Sequence, residues 1–155
     1  MNDNGIISLE NQINECDELY QKSDFRGLIK KCDEILKQFP ENPNSMGYKG
    51  ISHCFLDEYD EAMKILNRGM ELYPDNYYLK NNLAMVYYDL GDFEKSLELC
   101  EEGLKIKKFD WLCDNKLRAL VRLGRMDEAI EFDRTLDFDF DLDGCFLMRE
   151  CLVKQ

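Results

Sequence analysis

A chain of 155 residues is one domain's worth of sequence. Its formal net charge of −12 at pH 7 argues against nucleic acid, which selects a basic face, and disfavours anionic membrane surfaces. No stretch is apolar for long enough to span a bilayer, and MNDNGIISLE lacks the basic region and apolar run of a secretory leader, so a cytoplasmic protein is expected.

The first seven residues read as a frayed start, with Ile6 and Ile7 available to cover an exposed helix end. Ser8 is the expected N-cap of a helix running to about Lys22. A turn at Ser23-Asp24 leads to a second helix, Phe25 to Phe39, with Leu28, Ile29, Cys32, Ile35, Leu36 and Phe39 inward. Pro40 and Pro43 stop and restart the chain, because neither fits a helix interior. Further helices are expected at about 44–56, 59–72, 76–90, 93–107, 111–123 and 126–137. All connections are short, so neighbours in sequence should pack antiparallel.

Tyr77 to Asp110 displays the unit most clearly. Leu79, Leu83, Val86, Tyr87 and Leu90 recur at helical spacing, then Phe93, Leu97, Cys100 and Leu104 do the same. Between them Gly91 can take the left-handed conformation that ends one helix, and Asp92 can cap the next. After the eighth helix the pattern changes. DFDFDLD, residues 137–143, reads as an extended connection turning Phe138, Phe140 and Leu142 inward. Asp143 would cap a last helix to about Val153, carrying Phe146, Leu147, Cys151 and Leu152.

A lone pair of helices cannot bury two apolar stripes, and the chain supplies copies. A shift of 34 residues lays Pro43–Asn76 under the Tyr77 unit, another lays Leu9–Asn42, and a forward shift of 33 brings Gly91 onto Gly124. A fixed period with two helices in each is the mark of a stacked repeat protein. The spacing of small residues around the hinge in LGDFEKSLELCEEGL, DEYDEAMKILNRGMELYPDN and LGRMDEAIEF resembles the tetratricopeptide repeat. Leu28 and Leu117 depart from it, standing where the family usually has Ala or Gly, and Lys108 replaces the Pro found at Pro40 and Pro74. The resemblance implies an all-α, right-handed solenoid in a single domain: repeats at about 9–42, 43–76, 77–109 and 110–137, with connector and capping helix over 138–155.

It also implies that the first helix of each repeat lines a concave groove. Aligning those helices gives four stripes: Glu10, Asn14, Asp17, Gln21; Asn44, Tyr48, Ile51, Phe55; Tyr78, Asn82, Met85, Asp89; and Trp111, Asn115, Arg118, Arg122. Each is one face of a helix. Apolar residues off the core stripe need a reason, and Tyr48, Ile51, Phe55, Tyr78, Met85 and Trp111 would form an aromatic floor. Asn14, Asn82 and Asn115 would pair with a ligand's backbone. Glu10 and Asp17 lie towards one end and Arg118 and Arg122 towards the other, giving a bound segment a direction. The expected role is a non-enzymatic adaptor for a peptide or helix of another protein, without a cofactor; self-association through groove or ends is the alternative. The basic clamp for chaperone tails is missing, since Glu10, Ile13 and Asp17, or Gly47 and Ile51 one repeat on, occupy its places.

Other chemistry is thinly supported. Seven cysteines, an odd number with no CxxC pair, read as small buried side chains in a reducing compartment. His53, the one histidine, falls on a core position, and Cys54 points elsewhere on the helix, so they form no nucleophile–base pair. Asp139, Asp141, Asp143, Gly144 and Glu150 match a calcium-loop pattern. Phe140 and Leu142 fill places normally polar or Gly, no second loop exists, and an acidic helix cap explains the same residues. A calcium-responsive module or an enzyme using this stretch is the other alternative.

Overall fold

The computed structural model describes residues 3–136. They form eight α-helices in four antiparallel pairs, with no strand among the described residues. The pairs are α1 (Asp3–Gln21) with α2 (Phe25–Gln38), α3 (Pro43–Phe55) with α4 (Tyr59–Leu72), α5 (Tyr77–Asp89) with α6 (Phe93–Ile106), and α7 (Asp110–Arg122) with α8 (Met126–Arg134). First helices pack on one another, α1 on α3, α3 on α5 and α5 on α7. Each second helix also touches the following pair: α2 on α3, α4 on α5, α6 on α7. This is an all-α repeat solenoid.

The hinge within each pair is one structure made four times. Ser23, Asp57, Gly91 and Gly124, equivalent in the repeat, have φ of 56°, 59°, 84° and 72°. Around them Asp24 N–H donates to Leu19 C=O, Glu58 to His53, Asp92 to Tyr87 and Arg125 to Leu120, at 2.9–3.0 Å. A left-handed residue followed by this backward bond is the Schellman stop, which satisfies carbonyls that a helix end leaves open. Starts are capped as locally. Asp24 accepts from Gly27 N–H, Asp92 from Lys95 N–H, Asn42 from Ser45 N–H and Asn76 from Tyr78 and Leu79 N–H. Pro43 sits in the first turn of α3, where its missing N–H costs nothing.

The core runs along the stack. Cys16, Leu28, Cys32 and Ile35 fill the first pair, while Met46, Leu66, Leu79, Ala84 and Val86 fill the middle. Leu97, Cys113, Leu117, Leu120 and Ala129 fill the last. Leu28 and Leu117, which depart from the repeat pattern, are fully enclosed. Cys16, Cys32, Cys54, Cys100 and Cys113 are buried thiols without a disulfide.

Three expectations are corrected. Helix α1 starts at Asp3, so Ser8 lies inside it and is not its N-cap. Leu90, assigned to the core stripe, is the C-cap of α5 and 51% exposed, beside Asp57, Glu58, Asp60 and Glu61; the helix ends before the stripe does. Ile51, assigned to the groove, is 2% exposed, because α3 has neighbours on nearly every side. The acidic connector and capping helix expected over 138–155 lie outside the described residues, as do Asp139, Asp141, Asp143 and Glu150.

Candidate functional site: an aromatic band on the inner helix face

Helices packed side by side stand about 8–10 Å apart, so a flat row would hold α1 and α7 about 25–30 Å from each other. Yet Tyr20, in the last turn of α1, brings its ring to 5.9 Å from Trp111 in the first turn of α7. The row of first helices therefore curves with this face inside. Tyr20 also meets Tyr48 at 6.2 Å and Phe55 at 6.1 Å. Phe55 stacks on Phe25 at 4.6 Å, and Tyr48 leads on to Tyr78 at 6.0 Å. These separations are those of attractive edge or offset ring pairs. The result is a continuous oblique band of rings from the α1–α2 hinge to the start of α7. Two of its members keep large open surfaces, Phe55 at 41% and Trp111 at 48%.

Polar groups are set into the band. Tyr48 donates its hydroxyl to Asp17 Oδ1. Partial burial pushes the Asp17 carboxyl above its ordinary range, because desolvation penalises the charged form. The Cys54 thiol, pushed up by burial first and by Asp89 next, stays protonated and donates to Asp89 Oδ2 at 3.4 Å. A run of amides crosses three helices. Arg118 Nη1 donates to Asn115 Oδ1 (3.3 Å), Asn115 Nδ2 to Asn81 Oδ1 (3.0 Å), Asn81 Nδ2 to Asn82 Oδ1 (3.3 Å), and Asn82 Nδ2 to the Gly47 carbonyl (3.1 Å). Gly47 permits that approach: a Cβ there would stand 2.4 Å from the Tyr78 ring.

The residues expected to line the groove therefore divide. Asn14, Asp17, Phe55, Asp89, Trp111 and Arg122 are exposed, and Tyr48, Tyr78, Met85 and Arg118 are half-buried. Ile51, Asn82 and Asn115 are buried, and the two amides are spent on the ladder rather than open to a ligand. Arg118 lies over the Tyr88 ring at 4.3 Å and Arg122 over Phe93 at 4.4 Å, so the cations at the α7 end already have partners. Sequence reasoning missed Tyr20 and Phe25. The repeat register sets Tyr20 level with Cys54 and Tyr88 and so assigns it to packing. A side chain much larger than Cys54 at one end of the stack was the available signal.

His53 is 9% exposed, with Nδ1 2.7 Å from Glu58 Oε2, and the Glu58 carboxylate also takes Arg26 Nη2 at 2.6 Å. Cys54 turns to Asp89 instead, so the two do not form a catalytic pair. Among the described residues no group of three or more His, Cys, Asp or Glu side chains is arranged to hold a metal.

The repeated hinge and the stacking of first on first helix have counterparts in known proteins. A tetratricopeptide repeat family model matches residues 55–110, which hold the two central hinges and helices α4, α5 and α6. A TPR repeat-containing protein of Methanocaldococcus jannaschii is 32% identical over 92 residues, 54% of this chain and 29% of its own length. The fold matches a thermophilic TPR protein of Thermus thermophilus with a TM-score of 0.73, covering 79% of this chain and 70% of that one, at 16% identity. Residues 55–110 belong to the tetratricopeptide repeat family, and the described helix pairs on either side share their hinge and stacking. A DnaJ homolog subfamily C member 3 homolog of Dictyostelium discoideum is 25% identical over 118 residues, 76% of this chain. This chain spans 21% of that relative, and under a third of the archaeal one. Proteins of the family generally mediate protein–protein interaction.

Proposed function

We propose that this chain is a non-enzymatic adaptor that holds an extended or helical segment of another protein along the aromatic band. One observation carries the reading. Phe55 and Trp111, two of the large apolar side chains left most open, belong to a single band of rings on the inside of a curved helix row. Rigid aromatic side chains supply contact area at low entropic cost, and contiguous exposed apolar surface in a folded protein marks an interaction site. Tyr48 and Met85, half-buried on the same face, extend the floor. No helix of the described residues is long and apolar enough to cross a membrane.

Affinity capture with mass spectrometry tests the proposal, using wild type beside Phe55→Ala, Met85→Ala and Trp111→Ala. Each variant is expected to lose the proteins that wild type recovers while its circular dichroism stays unchanged, because exposed apolar positions contribute more to binding than to stability. Undiminished recovery by all three removes the band from the binding function.

A further inference from the structure

We infer that the segment bound on this face is basic, and that an arginine or lysine side chain of it sits against the Tyr20, Tyr48, Phe55 and Trp111 rings beside the Asp17 carboxylate. The inference rests on the adaptor reading and adds the chemistry of the partner. Three observations carry it.

The first is charge. The chain carries a net −12, and the two carboxylates set into the inner face, Asp17 and Asp89, take only a phenol and a thiol as the donors described. Those are neutral donors and leave both negative charges uncompensated by them. At the α7 end the cations Arg118 and Arg122 lie on Tyr88 and Phe93. Those rings are neutral and leave the two guanidinium charges in place, so complementarity asks for positive charge on the partner at the Asp17 end of the band rather than along its whole length.

The second is the chemistry of the rings. The faces of Tyr, Phe and Trp carry negative quadrupole potential and attract guanidinium and ammonium groups, more strongly where water is partly excluded. This molecule uses that contact repeatedly: Arg118 on Tyr88, Arg122 on Phe93, Lys116 on Phe132 at 4.5 Å and Lys107 on Tyr77 at 4.8 Å. The third is desolvation. Asp17 stays exposed, but packing on one side desolvates its carboxyl enough to disfavour the charge, and a cation brought beside it offsets that loss. Rings and a carboxylate that share one place offer a cation both kinds of attraction.

The single tryptophan makes the site its own reporter. A short unstructured peptide alternating arginine and glutamine is titrated into the protein while Trp111 emission is followed. A second peptide has citrulline, the neutral isostere, in place of each arginine. The arginine peptide is expected to shift Trp111 emission saturably and to bind about fivefold or more tightly than the citrulline peptide, the scale of one or two cation–π contacts. Asp17→Asn and Tyr20→Ala should each erode that preference, while Glu128→Gln, whose carboxylate pairs with Arg125 at the N-cap of α8, should not. Asp17 is exposed, so its variant keeps the test usable should Tyr20→Ala disturb the fold.

If the citrulline peptide shifts Trp111 equally and with the same dependence on Tyr20, the cationic inference falls and the groove stands. If the arginine peptide binds without moving Trp111 emission, or Glu128→Gln weakens it as much as Asp17→Asn, the attraction is general to an acidic surface. The inference then falls and the groove loses its support. A flat titration with both peptides overturns the inference and leaves the adaptor reading to the capture experiment.

Discussion

At the scale of the residue, the informative side chains are the buried amides. Asn82 sits in the register of a groove position and its repeat equivalents are Tyr48 and Asn115, so the one-dimensional pattern assigned it to the ligand. The structure assigns it to the neighbouring helix: it is 1% exposed, and its Nδ2 reaches the Gly47 carbonyl of α3 while its Oδ1 accepts from Asn81. Periodicity reports the angle of a residue on its own helix, and it does not report how near the next helix stands. That distance is set by Gly47, which lets α5 approach α3. Asn82→Ala should then act on stability and not only on binding. It breaks two hydrogen bonds and leaves a buried carbonyl without this donor, a cost of about 1–3 kcal/mol. Asn14→Ala, at the exposed equivalent-face position on α1, should stay within about 0.5 kcal/mol. Urea unfolding of both variants compares them, and equal midpoints would mean that the ladder contributes nothing.

At the scale of the element, the position of each hinge is legible in the sequence, but its backbone conformation is legible only where glycine marks it. Gly91 and Asp92 announced a helix stop and a helix start, and both are found, Gly91 at φ 84° and Asp92 capping Lys95. The turn at Ser23-Asp24 and the break between the helices at 44–56 and 59–72 are read from the sequence as well, but the left-handed backbone that Ser23 and Asp57 adopt there is not, because neither is the glycine that would advertise it. The same conformation held by different residues gives a paired prediction. A left-handed backbone costs a residue with a Cβ about 1–2 kcal/mol, and glycine removes that cost while losing about 0.5–1 kcal/mol to chain entropy. Gly91→Ala should therefore destabilise by about 1 kcal/mol or more, and Ser23→Gly should stabilise by about 0.5–1 kcal/mol. No atom lies within 4 Å of a Cβ added at Gly91, so packing does not confuse its sign. Thermal melts decide it, and two shifts in the same direction would show that hinge conformation is not what limits these turns. Helix boundaries are read to within a few residues except at α1, where Asn4-Gly5 ahead of Ser8 reads as a frayed start but lies inside the helix.

At the scale of the whole molecule, what the sequence could not disclose is curvature. The 5.9 Å approach of Tyr20 to Trp111 joins the first and fourth pairs, and it emerges from small rotations summed over three helix interfaces, none of which leaves a mark on any one residue. Charge behaves similarly. A net −12 reads as bulk repulsion, but the lysines are placed across successive helix interfaces: Lys31 on Glu15, Lys49 on Asp33, Lys80 on Glu102 and Lys116 on Glu101. Lys80 is the most enclosed of them, its side chain 9% exposed and its ammonium 2.6 Å from Glu102. Its hydrogen bond outweighs the opposing cost of burial and holds the Glu102 carboxyl below its ordinary 4.5. A carboxylate with a lowered folded value stabilises the fold above its unfolded value, and that stability is lost as pH falls through the folded one. Glu102→Gln should thus cost about 1 kcal/mol near neutral pH, a modest figure because the carboxylate is nearly half exposed to screening solvent. The gap between wild type and variant should hold from neutral pH down to the ordinary carboxyl value and close only as pH falls through the lowered folded value, where wild type becomes neutral at this position. Protonation elsewhere on the acidic surface moves both proteins together, so the difference between their urea midpoints isolates the Lys80 contact. A gap that persists at the acid end would assign the loss to packing of the side chain and not to its charge.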